Sequence, residues 1–130
     1  MRTSLATAEL QVRDRGVLLL LDGAESSWID LHDPAHLDFE YLQQMDAALT
    51  ALRGGREPVR AVHLGAAGCA LARAWDAARP GSTQLAVEVD AVLAQRVVGI
   101  EQMQARVWPA DEQSQEAQMG IENTVHTANA

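Results

Sequence analysis

The sequence predicts an α/β fold in which a small β-hairpin region precedes a βαβ portion. Short apolar runs bounded by turn residues fill the first 32 residues, and strand and helix patterns alternate from residue 59 to residue 108. The chain has 130 residues, of which 48% are apolar and 22% are charged, as in one small globular domain. We therefore expect a hairpin region at 1–32, a connecting helix with the βαβ portion at 33–108, and a tail at 109–130.

The first predicted element is the hairpin. Leu10 and Val12 are separated by one polar residue, which is the pattern of a half-buried strand. The apolar run at 17–21 is too short for a helix and ends at Asp22-Gly23, so it is predicted as the returning strand. Residues 28–31 are predicted as a third short strand.

A helix is predicted to begin at Asp33-Pro34, because aspartate caps free backbone N–H groups and proline fits the first helical position. Apolar residues then recur at helical spacing, and we interpret this stripe as core packing. The stripe consists of Leu42, Met45, Leu49 and Leu52. Gly54-Gly55 is predicted to end the helix.

The βαβ portion follows with short connections. Its segments are a strand at 59–64, a turn at 65–68, a helix at 69–79 and a second strand at 84–89. Asp90 can cap a further helix that must end near Pro109. Such a unit packs as parallel strands with a right-handed crossover.

Charge and composition exclude several classes of function. The net charge of −8 disfavours nucleic acid as a partner. The single cysteine excludes an intramolecular disulfide and a site of paired thiolates, so we expect no metal. No apolar run is long enough to cross a membrane and no signal peptide is recognised, which favours a cytoplasmic protein. The tail from 109 onward is acidic and aperiodic, so it is predicted to be disordered.

The turn between the first βαβ strand and its helix is the best candidate for ligand binding. Its backbone N–H groups and the helix N-terminus can receive a polar part of a nucleotide-like ligand, and small residues allow a close approach. Glu88 lies 23 residues after Gly65 at the end of the next strand, where a carboxylate can accept hydrogen bonds from a ribose diol. The candidate ligand-binding residues are Gly65, Ala66, Ala67, Gly68, Glu88 and Asp90.

Structural interpretations of the same residues stay open. The small residues at 65–70 also suit close packing of a helix on a strand, and Glu88 also suits a solvated strand end. His63 has no partner at metal or triad spacing and is interpreted as a packed strand residue. Cys69 is interpreted as a small buried residue, although a helix N-terminus can lower the pKa of a thiol.

Four short motifs in order resemble the polyamine aminopropyltransferases, the spermidine synthase family. They are Leu21-Asp22-Gly23, Phe39-Glu40-Tyr41, His63-Leu64-Gly65 and Val87-Glu88-Val89-Asp90, and they extend from about residue 10 to residue 95. The resemblance implies a small N-terminal β-domain before a Rossmann-like domain of the class I methyltransferase type. It also implies transfer of an aminopropyl group from decarboxylated S-adenosylmethionine to putrescine.

By this resemblance, Glu88 would hold the ribose hydroxyls, Gly65 would open the nucleoside loop and Tyr41 would face the polyamine. The family's glutamine after the first motif, histidine after the tyrosine and aspartate in the glycine loop correspond here to Ser26, Leu42 and Gly68. No stretch after residue 95 resembles the family's later strands or its catalytic aspartates, so no catalytic residue is assigned and a truncated, impaired enzyme is expected.

Three functions remain open at this point. The chain could be spermidine synthase-like, a methyltransferase-like domain that binds S-adenosylmethionine as a substrate, or a non-catalytic remnant that mediates an interaction. A small-molecule nucleoside is the expected ligand in the first two. An incomplete sheet leaves an unpaired strand and an uncovered apolar face, so we expect either marginal stability or association with a second copy or another partner.

Overall fold

The computed structural model describes residues 2–65, 67–98, 106–108 and 124–127. The described strands are β1 (Ala8–Arg13), β2 (Gly16–Leu21), β3 (Ala24–Asp30), β4 (Arg60–Leu64), β5 (Thr83–Glu88), β6 (Arg106–Trp108) and β7 (Thr124–Thr127). The described helices are α1 (Glu40–Arg53), α2 (Ala70–Ala78) and α3 (Ala91–Val98). The predicted mixture of small sheets and helices is therefore confirmed.

The N-terminal strands form an antiparallel sheet in the order β1-β2-β3, which confirms the hairpin and the third strand. The central strand β2 is almost entirely buried because the run at 17–21 is apolar on both faces. The prediction that β1 buries the face with Leu10 and Val12 is wrong. Leu10 and Val12 are 46% and 82% exposed, because only Ala8 at the start of that face reaches the core.

Helix α1 begins at Glu40, so the predicted start at Asp33-Pro34 is wrong. The Asp33 side chain accepts the N–H of Ala35 at 3.1 Å and its carbonyl accepts the N–H of His36 at 3.0 Å. Asp33 therefore accepts its hydrogen bonds in a turn and not at the start of a helix. Aspartate favours both positions.

The apolar stripe on α1 packs only in part. Leu42 is buried and Leu49 packs against the same cluster, but Met45 and Leu52 are exposed. The helix ends at Gly54 with φ 76°, as the glycine pair predicts.

The second sheet has the order β4-β5-β7-β6, and all its described pairings are parallel. Helix α2 connects β4 to β5, and α3 follows β5. This order of parallel strands and helices confirms the βαβ prediction and is consistent with a partial Rossmann-like fold.

The C-terminal part differs from the prediction. Asp90 caps α3 by accepting the N–H of Leu93 at 3.0 Å. The described part of α3 ends at Val98, and the prediction that the helix extends to near Pro109 is wrong because residues 106–108 are a strand. Residues 106–108 form β6 instead, in keeping with the strand preference of valine and tryptophan. Within the tail predicted to be disordered, Thr124–Thr127 form β7, while the other tail residues lie outside the described residues.

Two buried clusters share helix α2. One brings Cys69 and Ala72 against Ala8 and Leu19 of the N-terminal sheet, and the other packs Leu71, Ala74 and Trp75 against Leu37 and Leu42. Each face of the helix is therefore buried against a different part of the chain.

Strand β4 pairs with β5 and forms an outer strand of the described sheet. Val62 and Leu64 are 61% and 86% exposed, because they point away from α2. None of the described helices is long and apolar enough to cross a membrane.

Candidate functional site

Three of the described residues in the loop between β4 and α2 have positive φ. They are Gly65 at 82°, Ala67 at 41° and Cys69 at 56°. Only glycine adopts this backbone region without strain, so Ala67 and Cys69 carry a conformational cost. Gly65 is anchored to the sheet because its N–H donates to the carbonyl of Val87 at 2.8 Å.

Gly68 lies against β3. A Cβ at this position would stand 2.6 Å from the Cβ of Ser27, and the Gly68 N–H donates to Ser27 Oγ at 3.0 Å. Gly68 therefore fits the alternative interpretation, in which the small residues at 65–70 allow close packing. Sequence reasoning did not identify Ser27, because this contact joins residues far apart in the chain.

Glu88 ends β5 beside the glycine loop. It is only 7% exposed, so the interpretation as a solvated strand end is wrong. Oε2 accepts the N–H of Ala67 at 3.1 Å and Oε1 accepts the N–H of Asp90 at 2.9 Å. The loop and the acid that the sequence links by spacing are therefore in direct contact.

Asp90 holds the N-terminal segment in place. Its carboxylate accepts the N–H groups of Ser4 at 3.0 Å and Leu5 at 2.9 Å, besides capping α3 through Leu93. Burial alone would raise the pKa of Asp90, but hydrogen bonds from Thr3, Leu93, Ser4 and Leu5 outweigh it and lower the pKa below its usual value. These contacts favour a structural role for Asp90.

A cleft of about 420 Å³ opens beside the glycine loop. It is lined by Ser26, Ser27, Tyr41, Leu42, Met45, Val62, His63, Leu64, Gly65, Ala67, Cys69, Ala70, Leu71, Ala72, Trp75 and Ala86. Of the predicted site residues, Gly65, Ala67 and Tyr41 line the cleft. Gly68, Glu88 and Asp90 do not line it, and Ala66 lies outside the described residues.

His63 faces the cleft from β4. Its Nε2 lies 2.7 Å from Oε1 of Gln84, and its ring packs 5.4 Å from the Trp75 ring. Burial lowers the pKa of His63 more than the Gln84 hydrogen bond raises it. The interpretation of His63 as a packed strand residue is therefore correct, and His63 also lines the cleft.

Cys69 is buried at the N-terminal end of α2, as interpreted from the sequence. Burial raises the pKa of its thiol, the charge of Glu88 raises it further and Arg73 opposes both, so the pKa is about 12. The helix N-terminus therefore does not activate this thiol.

Two arginines at opposite ends of α2 are buried. Arg79 donates to the carbonyls of Gly54 and Glu57 and to Thr50 Oγ1. Arg73 has no acceptor for either Nη atom in the described part of the chain. Sequence patterns identified neither residue, because arginine is usually exposed on a helix.

No group of three or more histidine, cysteine, aspartate or glutamate side chains among the described residues could hold a metal ion. The polar side chains that line the cleft are those of Ser26, Ser27, Tyr41, His63, Cys69 and Trp75. Apolar surface with a few polar groups is the usual lining of a cleft that binds a small organic ligand.

Comparison with known proteins identifies one relevant structure. No family model and no curated protein matches the sequence. The chain is similar to the crystal structure of a probable spermidine synthase from Corynebacterium glutamicum ATCC 13032, with a TM-score of 0.68 and 28% identity. The similarity covers 77% of this chain and 38% of that chain, so the present chain corresponds to less than half of its neighbour. This neighbour supports the resemblance to spermidine synthases.

Proposed function

We propose that this chain forms the nucleoside-binding part of a spermidine synthase-like transferase. The observation that carries the proposal is the contact between the glycine loop and the acid, in which the Ala67 N–H donates to Glu88 Oε2 at 3.1 Å. Both lie at the carboxyl ends of neighbouring parallel strands, where open α/β sheets bind ligands. The similarity to a probable spermidine synthase supports an adenosyl nucleoside as that ligand.

In this proposal, Glu88 receives the ribose diol and the glycine loop receives the sulfur-bearing end of the nucleoside. The neighbouring cleft provides apolar and aromatic surface for the group to be transferred, with Tyr41 at its exposed rim. The chain's contribution is positioning, which accounts for much of the rate enhancement in an in-line displacement. Decarboxylated S-adenosylmethionine, the donor that the resemblance implies, and S-adenosylmethionine itself share the nucleoside.

The proposal is tested by calorimetric titration with methylthioadenosine and its 2′-deoxy analogue. The wild-type chain should bind methylthioadenosine about tenfold more tightly than the 2′-deoxy analogue, because the analogue lacks one hydroxyl group that can donate a hydrogen bond to a carboxylate. In Glu88→Gln this preference should disappear, whereas the exposed control Glu25→Gln should keep it. Failure to bind either nucleoside contradicts the proposal. A preference for methylthioadenosine in Glu88→Gln that is as large as in the wild type contradicts it as well.

Transfer activity needs its own assay. Putrescine and decarboxylated S-adenosylmethionine should yield spermidine only when a second chain supplies the base that deprotonates the attacking amine. Spermidine formation by the purified chain alone would show that the present residues include that base.

A further inference from the structure

Gln84 on β5 fixes the tautomer of His63 on β4. His63 Nε2 lies 2.7 Å from Oε1 of Gln84, and an amide oxygen only accepts hydrogen bonds. The Nε2 atom of His63 must therefore carry a proton and donate it. In a neutral imidazole this leaves a lone pair on the other ring nitrogen, so Nδ1 of His63 is a hydrogen-bond acceptor.

This acceptor is available to a ligand in the cleft. His63 lines the cleft and is only partly buried. Nδ1 has no hydrogen-bond partner among the described residues, and it is not one of the buried polar atoms that lack a partner. Burial lowers the pKa of His63, so the ring is neutral at pH 8 and Nδ1 keeps its lone pair.

The cleft favours a cationic group over an anionic one. No arginine occurs among the described residues that line it, so a carboxylate would lose water without gaining a cationic partner. The aromatic side chains of Trp75 and Tyr41 line the cleft and can form cation–π contacts with an ammonium group. Trp75 Nε1 donates to Asp46 Oδ1 at 2.8 Å, which places a carboxylate beside that ring.

Other polar side chains of the cleft already have partners or lie at its rim. Ser26 Oγ donates to a backbone carbonyl two residues earlier at 3.0 Å, and Ser27 Oγ accepts the Gly68 N–H at 3.0 Å. Tyr41 is 55% exposed. His63 is therefore the best acceptor for an N–H group that enters the cleft.

His63 also lies at a suitable distance from the glycine loop. It stands two residues before Gly65, which is about 7 Å back along β4. In the proposed nucleoside site the sulfur-bearing end of the ligand meets this loop. A three-carbon chain attached to that sulfur extends over a similar length, so a group at its far end can reach His63.

We propose that Nδ1 of His63 accepts a hydrogen bond from the ammonium group of the aminopropyl chain, so that His63 makes the cleft specific for a nucleoside with a primary amine. An ammonium group has N–H donors and no acceptor, and its hydrogen bonds are strengthened by its charge. This inference rests on the proposed nucleoside site and assigns a residue to the amine end of the donor. His63 orients the chain and takes no proton from it.

The test compares three nucleosides by calorimetric titration at pH 8 and physiological salt. Aminopropylthioadenosine carries the amine, butylthioadenosine replaces the amine with a methyl group, and methylthioadenosine lacks the chain. The wild-type chain should bind aminopropylthioadenosine about tenfold more tightly than butylthioadenosine. His63→Phe should reduce this preference to less than about twofold and leave the affinity for methylthioadenosine unchanged. The exposed control His36→Phe should keep the preference.

Gln84→Leu is a second variant, which frees the tautomer of His63 and keeps its ring. Nitrogen NMR of the chain with labelled histidine should show the proton on Nε2 in the wild type and on both nitrogens in Gln84→Leu. The preference for the amine should fall several-fold in this variant, because part of the population no longer offers a lone pair at Nδ1. A changed tautomer with the full preference overturns the inference.

One measurement uses the wild-type chain alone and so does not depend on how well the variants fold. Aminopropylthioadenosine should shift the Nδ1 resonance of His63, whereas butylthioadenosine should leave it in place. Equal shifts overturn the inference, and so does a full preference for the amine in folded His63→Phe. Equal affinities of the wild type for all three nucleosides overturn the inference and leave the nucleoside site in place. Binding of none of them overturns the proposed function itself.

Discussion

Ser27 on β3 and Gly68 in the glycine loop are in van der Waals and hydrogen-bond contact. The Gly68 N–H donates to Ser27 Oγ at 3.0 Å, and the Ser27 Cβ occupies the space that a side chain at position 68 would need. The antiparallel sheet thus sets the position of a loop that belongs to the parallel sheet. A substitution at Ser27 or at Gly68 should therefore affect both sheets.

Gly68→Ala should destabilise the chain by roughly 1–3 kcal/mol, because the added methyl group would lie 2.6 Å from the Ser27 Cβ. Gly55→Ala is the matched control, since its nearest atom would be 3.8 Å away. The measurement is the free energy of unfolding in urea. Equal losses in the two variants would show that the contact does not restrict position 68.

Asp90→Asn should lower the free energy of unfolding at neutral pH and make that free energy depend less on pH in the acid range. The pKa of Asp90 is lower in the folded chain than in the unfolded chain, so its stabilising effect is complete above a pH of about 4 and is lost as the pH falls through the folded-state value. Urea midpoints should fall from pH 6 to pH 3 in the wild type and less steeply in Asp90→Asn. Asp14→Asn, at an exposed turn, should follow the wild type. Identical slopes in Asp90→Asn and wild type would refute this assignment.

Arg79→Met should cost roughly 2–4 kcal/mol of unfolding free energy, because it leaves the carbonyls of Gly54 and Glu57 without their buried donor. Arg53→Met removes an exposed arginine at the end of α1 and should change stability by less than about 0.5 kcal/mol. Chemical denaturation followed by circular dichroism compares the two. A small effect at position 79 would mean that water replaces the lost donor.

Cys69 should be almost unreactive in the folded chain. Its thiol is buried and its pKa is about 12, so little thiolate is present at pH 8. Labelling with an aromatic disulfide reagent should be at least about 100-fold slower without urea than in denaturing urea. Fast labelling of the folded chain would indicate that the first turn of α2 opens readily.

The elements that local patterns determine were predictable from the sequence. The apolar run in β2 and the order β4, α2, β5 followed from periodicity and turn residues. Asp33 was misleading, because its side chain stabilises a turn as readily as a helix start. Boundaries that depend on this choice are decided by tertiary packing.

The site was predictable only in part. The spacing from Gly65 to Glu88 correctly placed the acid at the end of the strand next to β4, and its contact with the loop through Ala67 was seen only in the structure. The Ser27 contact and the burial of Arg73 had no sequence signal, since both depend on how distant segments pack. Association with a second copy, the nucleoside ligand and the roles of Tyr41 and Asp90 in binding it stay predictions.

Helix α2 buries Ala72 in one cluster and Trp75 in the other, only three residues apart. Because α2 is short, it cannot unfold where it faces one cluster and stay helical where it faces the other. Loss of either cluster should therefore also disrupt the other. The antiparallel and parallel sheets should therefore melt in a single transition with one denaturant slope. A ligand that tightens the first turn of this helix would raise the melting temperature reported by probes in either sheet.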